Sequence, residues 1–146
     1  MHLVAELDVS PDRAYALFTE KASLEGWLTT IAEVEPRLGG RYELFWDPGN
    51  RSSNSTLGCR ITAYDPGRLL AFDWRSPAQF ERFANAADPL THVVVTFASA
   101  GAGTVVHLVH SGWRSSPEWE EARAWQERAW SLAFQGLPEA ARAARR

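Results

Sequence analysis

Residues 116–136, SPEWEEARAWQERAWSLAFQG, decide the fold of this chain. Advanced by about 100° per residue, Ala122, Trp125, Ala129, Leu132, Ala133 and Gly136 fall on one stripe of a helix, with Trp119, Trp130, Phe134 and Leu137 on the adjoining one. The apolar arc is then about 200° wide, against about 100° for an ordinary surface helix. A helix this apolar must be covered on two sides, by a curved sheet wrapped around it or by a sheet plus a partner molecule. That geometry makes a cavity. Ser116 and Pro117 supply the helix start, and Gly136 with Pro138 marks a stop or kink before an Ala/Arg-rich tail.

Upstream the chain is mostly strand. His2 to Val9 alternates, with Leu3, Ala5, Leu7 and Val9 on one face. Ser10, Pro11 and Asp12 then open a short helix through Ala14, Leu17 and Phe18, and a second short helix holds Leu24, Trp27 and Leu28. After the break at Gly39 and Gly40, Arg41 to Trp46 reads as a strand whose inner side is Tyr42, Leu44 and Trp46. Leu57 to Tyr64 places Cys59, Ile61 and Ala63 together, Arg68 to Trp74 does so for Leu70, Phe72 and Trp74, and Thr91 to Phe97 for Val93, Val95 and Phe97. Gly101 and Gly103 close a hairpin into Thr104 to Ser111, with Val106, Leu108 and His110 on one face. Ser76 and Gln79 have capping-box spacing, so Pro77 to about Ala86 is predicted as a small helix, a lid over the sheet edge. The last helix is expected to cross the concave face against Tyr42, Phe72 and Phe97.

Composition narrows the function classes. The 146 residues, 45% hydrophobic, suit one domain over 1–146 with one sizeable core. A net charge of −3 gives no general attraction for phosphate backbones, and basic residues are scattered until Arg142, Arg145 and Arg146, so nucleic-acid binding is not expected. The chain shows no signal-peptide pattern and no run of about 20 apolar residues, so a cytoplasmic protein without a membrane span is the default. Cys59 is the single cysteine, which excludes an intrachain disulfide and a multi-cysteine zinc site.

Few residues carry overt chemistry. His110 and Ser111 near Asp73 do not make a hydrolytic triad, because no GxSxG elbow is present and neighbouring strand side chains point to opposite faces. His110 itself faces inward, either as a polar group in a cavity or as a core histidine satisfied by a hydroxyl or backbone group. His92 and His107 have the opposite parity and should face solvent, which disfavours a histidine metal site. Cys59 reads as a small core hydrophobe rather than a nucleophile. Arg41, Arg60, Arg68 and Arg75 should mostly face out as solvated ion-pair partners. The inward aromatics serve a pocket or a packed core equally well.

The segments VSPDRAYALFT with LEGWL, then GGRYELFW, RITAYDPGRLLAFDW and GTVVHLVHSGW leading into the Trp-rich helix, taken in that order, resemble the START-like (SRPBCC) superfamily. Within it the chain looks most like the branch named after the activator of Hsp90 ATPase, homologue 1-like. The resemblance spans nearly the whole chain and implies an α+β helix-grip fold, a curved antiparallel sheet gripping the C-terminal helix around an often apolar cavity. Members bind lipids, hormones or polyketides, contact chaperones, or catalyse reactions on this scaffold. Two positions depart from the pattern: Cys59 stands where a glycine is common, and Ala129 with Trp130 replaces a Gly-Trp pair. Both changes add side-chain volume near the implied cavity.

These readings converge on binding of a small hydrophobic or amphipathic molecule between the sheet and the last helix. The expected lining is Tyr42, Trp46, Cys59, Ile61, Phe72, Trp74, Val95, Phe97, Leu108, His110, Trp125 and Ala129. No metal, nucleotide or other cofactor is expected. A protein-interaction module of co-chaperone type, or a homodimer, is the alternative, using the convex sheet face or an apolar strip of the last helix. A cyclase- or hydrolase-type enzyme using the same pocket comes third.

Overall fold

Alternation along His2–Leu7 produces strand β1, which pairs antiparallel with β7 (Gly103–Ser111). From there the sheet runs through β6 (Thr91–Ala100) and β5 (Leu69–Trp74) to β4 (Ile61–Asp65), in the order β1-β7-β6-β5-β4, antiparallel throughout. A separate ribbon pairs β2 (Ile31–Val34) with β3 (Tyr42–Phe45). The helices are α1 (Pro11–Thr19), α2 (Lys21–Trp27), α3 (Glu81–Ala84), α4 (Pro117–Gln135) and α5 (Leu137–Ala144). This computed structural model describes residues 1–144, so Arg145 and Arg146 of the basic tail lie outside the described residues. The architecture is α+β, with the long C-terminal helix set against the antiparallel sheet.

The helix starts follow from their caps. Ser10 Oγ accepts from Arg13 N at 3.3 Å ahead of Pro11, and Ser116 Oγ accepts from Trp119 N at 3.1 Å ahead of Pro117. Gly136 acts as a kink rather than a stop, because α5 resumes at once with Ala140 N donating to Gly136 O. On α4 and α5 the buried positions are Ala122, Gln126, Trp130, Phe134, Leu137 and Ala141, spaced by four and three residues. Leu132, placed on the apolar arc by helical periodicity, is instead 68% exposed.

Several boundaries differ from the sequence reading. β2 was not anticipated, since four residues are too short to display a period. Ser55 to Arg60 are irregular and meet β3 and Arg41 through isolated bridges, Arg41 with Arg60 and Phe45 with Ser55, and through Tyr42 N donating to Cys59 O at 2.9 Å, so the regular strand begins at Ile61. All four residues of β3 are buried, because the ribbon is covered on both faces. Gly40 belongs to this junction: a Cβ there would collide with the Glu35 carbonyl. The predicted capping box does not form. Ser76 is instead clamped by Asn85, whose Oδ1 accepts from Ser76 N at 2.7 Å and whose Nδ2 donates to Ser76 O at 2.9 Å. The segment it closes is a single 3-10 turn, Ala78–Phe80, running into α3. Phe80 and Ala84 pack on Ala122, with Phe83, Trp113, Trp119 and Trp125 around them, which fixes this segment against α4.

Candidate functional site

Where α4, the end of β5, the Pro77 turn and the loop after β3 meet, packing leaves a cavity of about 350 Å³. Its walls are Leu28, Trp46, Trp74, Pro77, Trp125, Ala129, Trp130 and Ala133, with Asp47, Asn54, Ser55, Arg75, Gln79 and Gln126 as polar lining. The wide apolar arc of α4 explains the site. One stripe, Trp130 and Phe134 with their helical neighbours, enters the core, and the adjoining half-buried stripe of Trp125, Ala129 and Ala133 faces the cavity.

The indoles are held in place by one another and by hydrogen bonds. Trp74 meets Trp46 edge-on at 5.9 Å and Trp130 at 5.0 Å between ring centroids. Trp46 Nε1 donates to Leu28 O at 2.9 Å, and Trp74 Nε1 to Gln126 Oε1 at 3.2 Å. Buried Gln126 was missed by reading periodicity in apolar residues alone. Its signal was a lone polar residue spaced four residues from both Ala122 and Trp130.

Of the twelve residues expected to line the pocket, the structure brings four to it: Trp46, Trp74, Trp125 and Ala129. Tyr42, Ile61, Phe72, Val95, Phe97 and Leu108 pack in the main core instead. Tyr42 stacks on Phe72 at 3.9 Å and its hydroxyl donates to Phe18 O at 2.6 Å; burial raises its pKa. Ring contacts of Trp130 and Phe134 on α4 run not to Tyr42, Phe72 or Phe97 but to Trp74, His110, Phe18 and Trp27, while Trp119 and Trp125 meet Phe83, Trp113 and Phe80. Cys59 is fully buried away from the cavity, and burial, reinforced by the Asp73 charge, pushes its thiol up to about 12. It stays a protonated core residue near neutral pH.

His110 is satisfied by protein, not open to a ligand. Trp130 Nε1 donates to His110 Nδ1 at 3.1 Å, and His110 Nε2 lies 2.9 Å from Thr91 Oγ1. Because the indole can only donate, Nδ1 is the acceptor and the ring carries its proton on Nε2. Burial, aided by the Met1 ammonium charge, lowers its pKa to about 3.

Arg75 also departs from expectation. Arg41 pairs with Glu35 and Glu43, and Arg68 with Asp65, while Arg60 reaches the Gly39 carbonyl. Arg75 lines the cavity, half-buried, and makes no ion pair or hydrogen bond among the described residues. On the outer sheet face His2 stacks on His107 and His92 meets Thr62; no three candidate metal ligands converge among the described residues. No helix there is long and apolar enough to cross a membrane.

Comparison with known proteins places this geometry. A protein from Mesorhizobium loti has the same fold, with TM-score 0.73 and 23% identity over 96% of each chain. The Aha1 dimer from Colwellia psychrerythraea superposes with TM-score 0.72 and 17% identity, covering 96% of this chain and 93% of that one. An AHSA1-like protein from Rhizobium etli gives TM-score 0.69 and 24% identity, covering 97% and 80%. No curated protein sequence matches significantly. The family model described as Activator of Hsp90 ATPase homolog 1-like protein matches residues 8–141, nearly the whole chain, and the protein belongs to that family.

Proposed function

We propose that this protein binds a small hydrophobic or amphipathic molecule in the cavity between α4 and the sheet. The observation that carries the reading is a cavity of about 350 Å³ walled by four indoles, with a few polar groups at defined positions. Ligand pockets have this size and this mixture. Affinity would come from burying ligand carbon, at about 25 cal/mol per Å².

Ala129 provides the test. It is half-buried on the cavity side of α4, so Ala129→Trp fills the space without entering the core. Nile red is expected to bind the native protein with a blue-shifted emission, and Ala129→Trp should weaken it at least about tenfold, equivalent to about 1.4 kcal/mol. Near-ultraviolet circular dichroism should show a folded variant. Undiminished binding to folded Ala129→Trp would place the dye elsewhere and sink the reading.

A protein interface is the second reading. Val4 and Val109 are 52% and 42% exposed on adjacent outer-face positions of β1 and β7, beside the His2–His107 stack. The Colwellia relative is a dimer. Sedimentation equilibrium decides this point, since a monomer at all concentrations removes the homodimer.

A further inference from the structure

Among the buried and half-buried polar groups of the cavity, the hydrogen-bonding capacity left over is that of donors, while the exposed rim adds the Asp47 carboxylate and Gln79. Trp74 Nε1 and Ala78 N can only donate, so the amide atoms they meet at 3.2 and 2.8 Å are the Oε1 of Gln126 and the Oδ1 of Asn54. Both amide oxygens are thereby engaged, and both NH2 groups are left without partners among the described residues. Gln126 is only 4% exposed, yet no fully buried side-chain polar atom lacks a partner, so its NH2 opens onto the cavity it lines. Half-buried Arg75, which also lines the cavity and whose charge reaches the Cys59 thiol, adds guanidinium donors with no acceptor among the described residues. Ser55 is already satisfied, donating to Arg51 O and accepting from Leu57 N. At the exposed rim, Asp47 caps Gly49 N and pairs with no cation among the described residues, and Gln79 is exposed.

Resting on the pocket reading above, we propose that the cavity selects a small amphipathic carboxylate, its head group met by Arg75 and the amides of Gln126 and Asn54 and its apolar body set against Trp46, Trp74 and Trp125. Donors that open onto an indole-walled cavity are left to water there, and charge-assisted bonds to a carboxylate satisfy them best. A guanidinium beside a low-dielectric indole wall strengthens that preference, whereas rim Asp47, exposed to water, is largely screened.

Calorimetry with phenylbutyrate and its neutral isostere phenylbutyramide tests the assignment. The native protein should prefer the carboxylate by about tenfold. Arg75→Gln should bring the two within about threefold, while Arg75→Lys keeps a partial preference. Gln126→Glu retains an acceptor for Trp74 Nε1 and replaces the free NH2 by a carboxylate oxygen, so it should favour the amide over the acid. Equal affinities in the native protein, or a preference unchanged by Arg75→Gln and Gln126→Glu, would overturn the inference and leave the pocket reading standing. If neither probe binds, the inference fails; Nile red binding that Ala129→Trp weakens then leaves the pocket reading standing, and no Nile red binding fails that reading too.

Discussion

His110→Gln is expected to lower stability at neutral pH and to flatten the loss of stability in acid. At neutral pH the glutamine cannot reproduce the imidazole bridge between Trp130 Nε1 and Thr91 Oγ1, at a cost of about 1–3 kcal/mol. Below the ordinary histidine value of 6.5 the unfolded chain takes up a proton that the folded ring, with its pKa lowered to about 3, refuses. The unfolded state then binds more protons, so stability falls as pH falls through that window and is independent of this group above it. The slope from His110 alone approaches about 1.4 kcal/mol per pH unit. The variant lacks this term, so its deficit should shrink on acidification and reverse toward about pH 4. Urea melts of both proteins across the range measure it. A deficit constant with pH would mean that the folded ring takes up its proton as readily as the unfolded chain, which the Trp130 bond to Nδ1 opposes.

Trp130→Ala should be the most damaging change in α4. The side chain is 1% exposed, packs on Trp74 and Phe134 at 5.0 and 6.2 Å, and supplies the bond to His110 Nδ1. Removing it loses transfer energy, leaves a cavity and strands a buried acceptor, about 3–5 kcal/mol together. Leu132→Ala, two residues along the same helix but 68% exposed, should stay within about 0.5 kcal/mol. Similar losses for the two would contradict the facing of α4 described above.

Those two residues mark how far the sequence could be read. Helical periodicity placed both in one broad apolar arc expected to be covered on two sides, but the structure buries Trp130 and leaves Leu132 68% exposed. Periodicity could not tell which edge of the arc meets solvent, because Leu132 and Trp130 differ in surroundings and not in hydrophobicity. Alternation identified β1, β6 and β7, where one face is more buried than the other, and β5, whose inward side is Leu70, Phe72 and Trp74 although Ala71 on its other face is buried too. It failed at β2, which is too short, and underread β3, whose Glu43 is buried with the rest of the strand. The pocket was harder. Inward parity cannot separate a residue on the cavity wall from one beneath it, so Tyr42, Phe72 and Leu108 looked the same as Trp46 and Trp74. The polar residues of the lining came from outside the inward sets: Asn54 from a loop, Arg75 just past the end of β5, and Gln126 from a stripe expected to be apolar.

The seven tryptophans make the central claim directly measurable. Trp46, Trp74, Trp125 and Trp130 line the cavity, whereas Trp27 lies in the core beside Phe18 and Phe134, and Trp113 and Trp119 pack together at the α3 side. In a nitrogen-15 spectrum of the indole N–H groups, saturating phenylbutyrate should shift the signals of Trp46, Trp74, Trp125 and Trp130 and leave those of Trp27, Trp113 and Trp119 in place. Shifts confined to Trp113 and Trp119, or no shift at all, would contradict a ligand site between α4 and the sheet.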